Sequence, residues 1–179
     1  AARDTTLDRR VITCVYSGEN KIYIEPFDFT AVGYSREHTY CHSWMPTNPA
    51  TQLPEYNDYH HLFPTNQDDV NAVRSNYPLG KVVTVTQTYL GSKFGQDANG
   101  NTVFEPRDEH KGDAARAIMY EAVCYTTVSG NSWALPASQN QAILKQWHFN
   151  DLPSNYEISR NDYIDSLQGN RNPFVDSVD

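Results

Sequence analysis

The side chains able to do chemistry are crowded into one region of the sequence. Tyr34-Ser35-Arg36-Glu37-His38-Thr39 and Asn57-Asp58-Tyr59-His60-His61-Leu62-Phe63-Pro64-Thr65 concentrate carboxylates and imidazoles, and four of the six histidines fall between His38 and His61. A neutral imidazole is a base matched to neutral pH, and a carboxylate is a hard ligand for a divalent cation. Just beyond, Thr65 followed three residues later by Asp68 gives a capping start, and Val70 and Val73 give the buried edge of a short helix over Thr65 to Asn76. On such a helix Asn71 and Arg74 are neighbours, so an amide oxygen and a phosphate-pairing guanidinium project together. Ordinary polar surface and hydrogen-bonded core histidines produce similar clusters, and clustering alone names no reaction.

Two metal patterns compete for these residues. His38 and His42, four apart with Cys41 beside them, are a possible zinc set, although Thr39, Tyr40 and Cys41 leave no glutamate between the histidines. Asp97-Ala98-Asn99-Gly100-Asn101 with Asp108 has the outline of a calcium loop. Thr102 stands where its glycine is required and Asp108 where its bidentate glutamate belongs, so a tight turn at Asn99-Gly100 is the expectation.

The elements that must position these groups are legible in pattern. Arg10 to Tyr16 and Lys21 to Glu25 are β-favouring runs joined by Ser17-Gly18-Glu19-Asn20, which predicts a hairpin, and Lys81 to Tyr89 alternates as a strand. The later chain predicts helices. One is capped by Asp113 and runs to Val128, with Ala117, Tyr120 and Cys124 on one face; another starts at Ser138 and turns Ile143, Leu144 and Trp147 inward. A third opens on the capping box Ser154-Asn155-Tyr156-Glu157 and ends near Gly169. Strands first and helices later predict an α+β fold, and no repeat, linker or low-complexity tract divides residues 1–179, so one domain is expected.

Composition narrows the function. With 39% hydrophobic residues and 22 aromatics the chain can build a core, and no stretch reaches the roughly 18 to 20 apolar residues of a membrane helix. Nothing at Ala1 to Leu7 has a signal-peptide layout, so a soluble chain, mature or trimmed, is expected. The formal net charge of −8 argues against coating nucleic acid by bulk charge, while leaving room for a local basic cleft. Cys14, Cys41 and Cys124 allow at most one disulfide within the chain, and the compartment stays open on that count.

Longer motifs go further. Arg36-Glu37-His38, Asp58-Tyr59-His60-His61-Leu62-Phe63-Pro64-Thr65, Val70-Asn71, Arg74-Ser75-Asn76-Tyr77-Pro78-Leu79-Gly80, Phe104-Glu105-Pro106, Lys111-Gly112-Asp113, Ala115-Arg116-Ala117, Lys145-Gln146-Trp147-His148 and Gln168-Gly169-Asn170-Arg171-Asn172-Pro173-Phe174 stand in one order. From about residue 34 to 174 the chain thereby resembles the bacterial endonuclease I family, secreted or periplasmic nucleases built around a ββα-metal, or His-Me, finger. The resemblance implies a sequence-nonspecific, metal-dependent endonuclease acting on DNA and RNA, with His38 as general base. Glu37 and Asn71 would hold one Mg²⁺, with Ca²⁺ or Mn²⁺ as substitutes, and Arg74 and Arg171 would contact phosphate, a structural role being the competing reading for both and the stronger one for Arg171. A monomer, nucleic acid as the partner and no membrane association are expected with it. The other readings are a zinc hydrolase on His38, Cys41 and His42, and a catalytically inactive nucleic-acid-binding relative. Adjacent strand residues face opposite ways, so Glu37 and His38 can serve one site only where the strand ends or distorts.

Overall fold

The computed structural model describes residues 9–46, 53–125 and 133–178. Strands β1 (Arg9–Thr13) and β2 (Asn20–Ile24) pair antiparallel as the expected hairpin, closed at Gly18 with φ +81°. A one-turn helix α1 (Phe29–Val32) leads into β3 (Tyr34–His38), which pairs antiparallel with β4 (Leu62–Asn66) in the register Tyr34↔Asn66 to His38↔Leu62. Between them lie a 3₁₀ turn (His42–Trp44), the short helix α2 (Pro54–Asn57) and a second 3₁₀ turn (Tyr59–His61).

From β4 the chain enters a π-helical turn, Gln67–Asn71, continued by the single α-turn α3 (Ala72–Arg74). The start is one residue later than the sequence implies. Thr65 belongs to β4, opposite Ser35, and Asn66 is the cap, its side-chain oxygen accepting the amides of Asp68 and Asp69 at 3.0 and 2.9 Å. Val70 is fully buried, whereas Val73 only packs against the edge of the core.

A three-stranded antiparallel sheet follows in the order β5 (Thr84–Tyr89), β6 (Ser92–Gln96), β7 (Thr102–Glu105). The strand expected from Lys81 starts at Thr84, because Val82 is buried with its amide on Glu105. The β6–β7 connection is a tight turn: Asp97 accepts the amides of Asn99 and Asn101, and Gly100 has φ +79°.

Helices α4 (Lys111–Cys124), α5 (Gln141–Asn150), α6 (Asn155–Gln168) and α7 (Pro173–Asp176) complete an α+β domain. Helix α4 begins two residues before Asp113, which instead pairs with Arg116 at 3.0 Å; Cys124 is exposed, and the expected extension over 126–128 lies outside the described residues. Asn140, not Ser138, caps α5 by accepting the amides of Ala142 and Ile143. Leu144 and Trp147 are buried, with Ile143 at the core's edge. Ser154 caps α6 through the Glu157 amide, and Gly169 ends that helix with φ +75°. The other half of the capping box is not made, because the Glu157 carboxylate takes the Arg116 guanidinium through two 2.6 Å bonds. The core joins Tyr16, Tyr34, Tyr40, Val70 and Phe104 to Ile118, Leu144 and Trp147, so the β3–β4–α3 unit rests on α4 and α5.

Candidate active site

Strand β3 ends at His38, and the chain then turns into His42–Trp44. Glu37 and His38 consequently open onto one cleft of about 400 Å³, with Arg36 beside them, Tyr56 from α2 and Asn71 and Arg74 from the helix after β4. The structure thus brings four of the five expected site residues together. Arg171 is not among those lining the cleft: it lies between α6 and α7 with its guanidinium on Asp162 and Asp176 at 2.7 to 2.8 Å, a geometry of structural duty.

His38 is oriented by backbone. Its Nε2 lies 2.9 Å from the Tyr56 carbonyl, which can only accept, so Nε2 carries the proton and Nδ1 keeps a lone pair. The Tyr56 ring (4.4 Å between centroids) and the His61 ring (5.2 Å) hold the imidazole from two sides. Burial pushes the His38 pKa below the ordinary imidazole value; the Tyr56 carbonyl pulls upward, and positive charge on His42, Arg36 and Arg74 adds to the depression. The ring is a neutral acceptor at neutral pH.

Glu37 is 4% exposed and fully engaged. Asn71 Nδ2 donates to Oε2 at 2.6 Å, the Tyr16 hydroxyl donates to Oε1 at 3.1 Å, and Arg74 Nη1 lies 2.8 Å from Oε1. Burial raises the carboxyl pKa, against the pull of Arg74, Tyr16 and Asn71. The Arg74 guanidinium, 1% exposed, also donates to the carbonyls of His38, Thr39 and Ser75. Its donors therefore face inward, and it holds the end of β3 against α3. Ser75, the residue after α3, takes φ +46°, and this strained turn is fastened through its carbonyl to Arg74.

The donor set suits a hard cation. One carboxylate and one amide, 2.6 Å apart at an open cleft, offer oxygen after a half turn of the amide, which exchanges Nδ2 for Oδ1. A soft tetrahedral set is not assembled. His38 points its Nε2 at Tyr56, and burial pushes the Cys41 thiol, which faces the Ser75 carbonyl, up to about 12. Among the described residues no three His, Cys, Asp or Glu side chains are placed to share one ion, so the zinc reading on His38, Cys41 and His42 is overturned. A second concavity, beside Lys81, Glu105, Lys111 and Trp147, spends Lys111 on Glu105 and Asp108 and gathers no comparable set.

Sequence reasoning missed Tyr16, Tyr56 and Arg36. Tyr56 acts through a carbonyl that every residue has, so no side-chain signal marks it. Tyr16 reaches Glu37 from a hairpin far away in sequence. Arg36 sits inside a quoted motif, is exposed and lines the cleft.

The geometry defines an α+β protein whose cleft joins hard oxygen donors, a neutral imidazole and guanidinium groups at the junction of a strand pair with a helix. The chain belongs to the endonuclease I family, whose model matches residues 12–179. It is 30% identical over 154 residues to an extracellular ribonuclease of Bacillus subtilis (strain 168), covering 80% of this chain and 51% of that protein. An extracellular ribonuclease of Bacillus amyloliquefaciens is also 30% identical over 154 residues, covering 80% of this chain and 50% of its own length. A periplasmic deoxyribonuclease of Aeromonas hydrophila is 29% identical over 120 residues, covering 66% and 47%. The chain spans about half the length of the curated relatives it matches. Among the described residues no helix is long and apolar enough to cross a membrane.

Proposed function

We propose that the protein is a metal-dependent, sequence-nonspecific endonuclease that hydrolyses phosphodiester bonds in DNA and RNA outside the cytoplasm, acting as a monomer. The observation that carries this reading is the convergence of Glu37, Asn71 and a backbone-tethered neutral His38 on one cleft. Family membership and the extracellular or periplasmic nuclease names of its relatives support it.

In this mechanism Glu37 and Asn71 would hold one Mg²⁺, or Ca²⁺ or Mn²⁺ in its place, which when bound offsets charge on the scissile phosphate. His38 Nδ1 takes a proton from the attacking water, while its Nε2–H stays on the Tyr56 carbonyl and keeps the ring aimed. Arg74 is assigned to the Glu37 carboxylate and to the cleft's positive potential, because its donors face inward. Arg36, exposed on the rim, is assigned the outward phosphate contact. Contact through phosphate reads no base, hence the lack of sequence preference.

The test is digestion of supercoiled plasmid, unrelated duplexes, single-stranded DNA and RNA, with Mg²⁺, Ca²⁺, Mn²⁺ or chelator, over about 50 to 200 mM salt. Cation-dependent nicking of every DNA and cleavage of RNA, both falling as salt rises, are expected. Binding without cleavage under all cations would establish the inactive relative instead, and cutting at one defined sequence would overturn the substrate assignment.

A further inference from the structure

Asn76, on the wall of the cleft, also lines a second concavity of about 460 Å³ together with Tyr77, Asn101, Thr102 and Ser138, so the two spaces meet at that residue. The mechanism above makes no use of this second space. Tyr77 is its aromatic wall. The ring packs against Phe94 at 5.1 Å between centroids, and the residue is still 42% exposed. The walls are fixed by backbone bonds. Tyr77 donates its amide to the Arg74 carbonyl at the end of α3 at 3.0 Å, the Pro78 carbonyl accepts the Phe104 amide at 3.0 Å, and Leu79 exchanges two 2.9 Å bonds with the side chain of Gln139, next to Ser138. A site built in advance orders little when its ligand arrives.

The lining selects the ligand. None of the described residues around this concavity is charged, and the Asn101 side chain donates to the Asp97 carboxylate at 3.1 Å, so a phosphate would meet no cation there and an acid close behind. An exposed aromatic ring bordered by amide and hydroxyl groups suits a neutral planar heterocycle with hydrogen-bonding edges. In a nucleic acid strand the base meets that description and the sugar-phosphate does not.

We propose that this concavity is a base-binding subsite, in which Tyr77 stacks on an unpaired nucleobase of the strand whose phosphate occupies the cleft. The inference rests on the nuclease reading, since a phosphate in the cleft is what carries a neighbouring base past Asn76. Every base has a π face, so stacking here adds affinity without sequence preference. A paired base keeps its faces against its neighbours in the duplex, so the subsite favours single strands and frayed ends over intact duplex.

The experiment compares a labelled single-stranded DNA of about 12 nucleotides with the same strand made abasic throughout, by fluorescence anisotropy in chelator. The wild-type protein should bind the intact strand about 5- to 50-fold more tightly than the abasic one. Tyr77→Ala should abolish that difference by weakening only the intact strand, and Tyr77→Phe should keep it. In cleavage of the intact strand with cation, Tyr77→Ala should raise KM while kcat stays within about twofold. Equal binding of the two strands by the wild-type protein, a result that needs no variant, would overturn the proposal. So would a difference that survives in Tyr77→Ala, or a loss in that variant that is equal for both strands and therefore structural. A wild-type protein that prefers the intact strand yet cleaves it with no cation would overturn the nuclease reading alone.

Discussion

At the scale of single residues, the candidate site depends on which groups are spent and which are left free. His38 has committed one nitrogen to Tyr56, and its other nitrogen is the group the cleft can use. His38→Ala should cut plasmid cleavage by about 10² to 10⁴ while leaving the thermal transition nearly unchanged, since the ring is only partly buried. Arg74 behaves oppositely. With the side chain 1% exposed and paired to a 5% exposed Glu37, Arg74→Ala strands a buried carboxylate and should destabilise the fold by about 3 to 5 kcal/mol in denaturant titration. The same variant should weaken cation binding, because Glu37 without Arg74 holds its proton more tightly. The shared placement of Glu37, His38 and Asn71 at one cleft was legible from motif, whereas the burial of Arg74 was not. Its partners are carbonyls and a carboxylate supplied by a strand distant in sequence, and a linear pattern does not carry that distance.

At the scale of elements, local chemistry was readable wherever one residue alone could satisfy the backbone. The turn at Asn99-Gly100, the Ser154 cap and the Gly169 stop are of this kind. Where two capping residues stood close together, packing chose between them. Pairing with Ser35 held Thr65 in β4 and passed the cap to Asn66, and Asn140 rather than Ser138 opened α5. Glu157 was drawn off its own helix end by Arg116 because two charge-assisted bonds outweigh one to a backbone amide. Close approach is equally invisible in sequence. Gly112 donates its amide to Asp151 at 2.8 Å, and a Cβ there would lie 2.0 Å from the Asp151 carbonyl oxygen. Gly112→Ala should therefore force α4 away from the end of α5 and cost about 1 to 3 kcal/mol, visible as a lower denaturant midpoint.

At the scale of the whole molecule, charge is arranged around buried acids behind the cleft. Glu121 on α4 is fully buried, and its carboxyl oxygens have no hydrogen-bond partner in the structure. Its 3.7 Å approach to His61 Nε2 is not an ion pair, since that nitrogen is 3.0 Å from the Glu55 carbonyl and gives it its proton. Burial pushes Glu121 up to about 10 and His61 down to about 3, so both are neutral. The folded chain keeps a proton on Glu121 that the unfolded chain releases above about pH 4.3. Stability should accordingly fall as pH rises from there toward 10, by up to about 1.4 kcal/mol per pH unit. Glu121→Gln should flatten that slope and raise stability at pH 8, and an unchanged slope in pH-dependent denaturation would contradict the assignment. Asp58 shows the converse. Burial alone would raise it, but the hydroxyls of Tyr125 and Tyr120, the Gln168 amide and the His60 backbone amide outweigh burial and hold its carboxyl below the ordinary range.

That Asp58 junction also sets a schedule. Glu37, His38 and Asn71 all precede α6 in the chain, yet the segment carrying the Tyr56 carbonyl is pinned through Asp58 to Gln168 at the end of α6, and Arg160 reaches back to the carbonyls of Tyr59 and Leu62. A nascent chain that already holds Glu37, His38, Asn71 and Arg74 still lacks the clamp that aims His38. A chain ending at Pro153 should therefore retain those residues and fall well below the full protein in plasmid nicking.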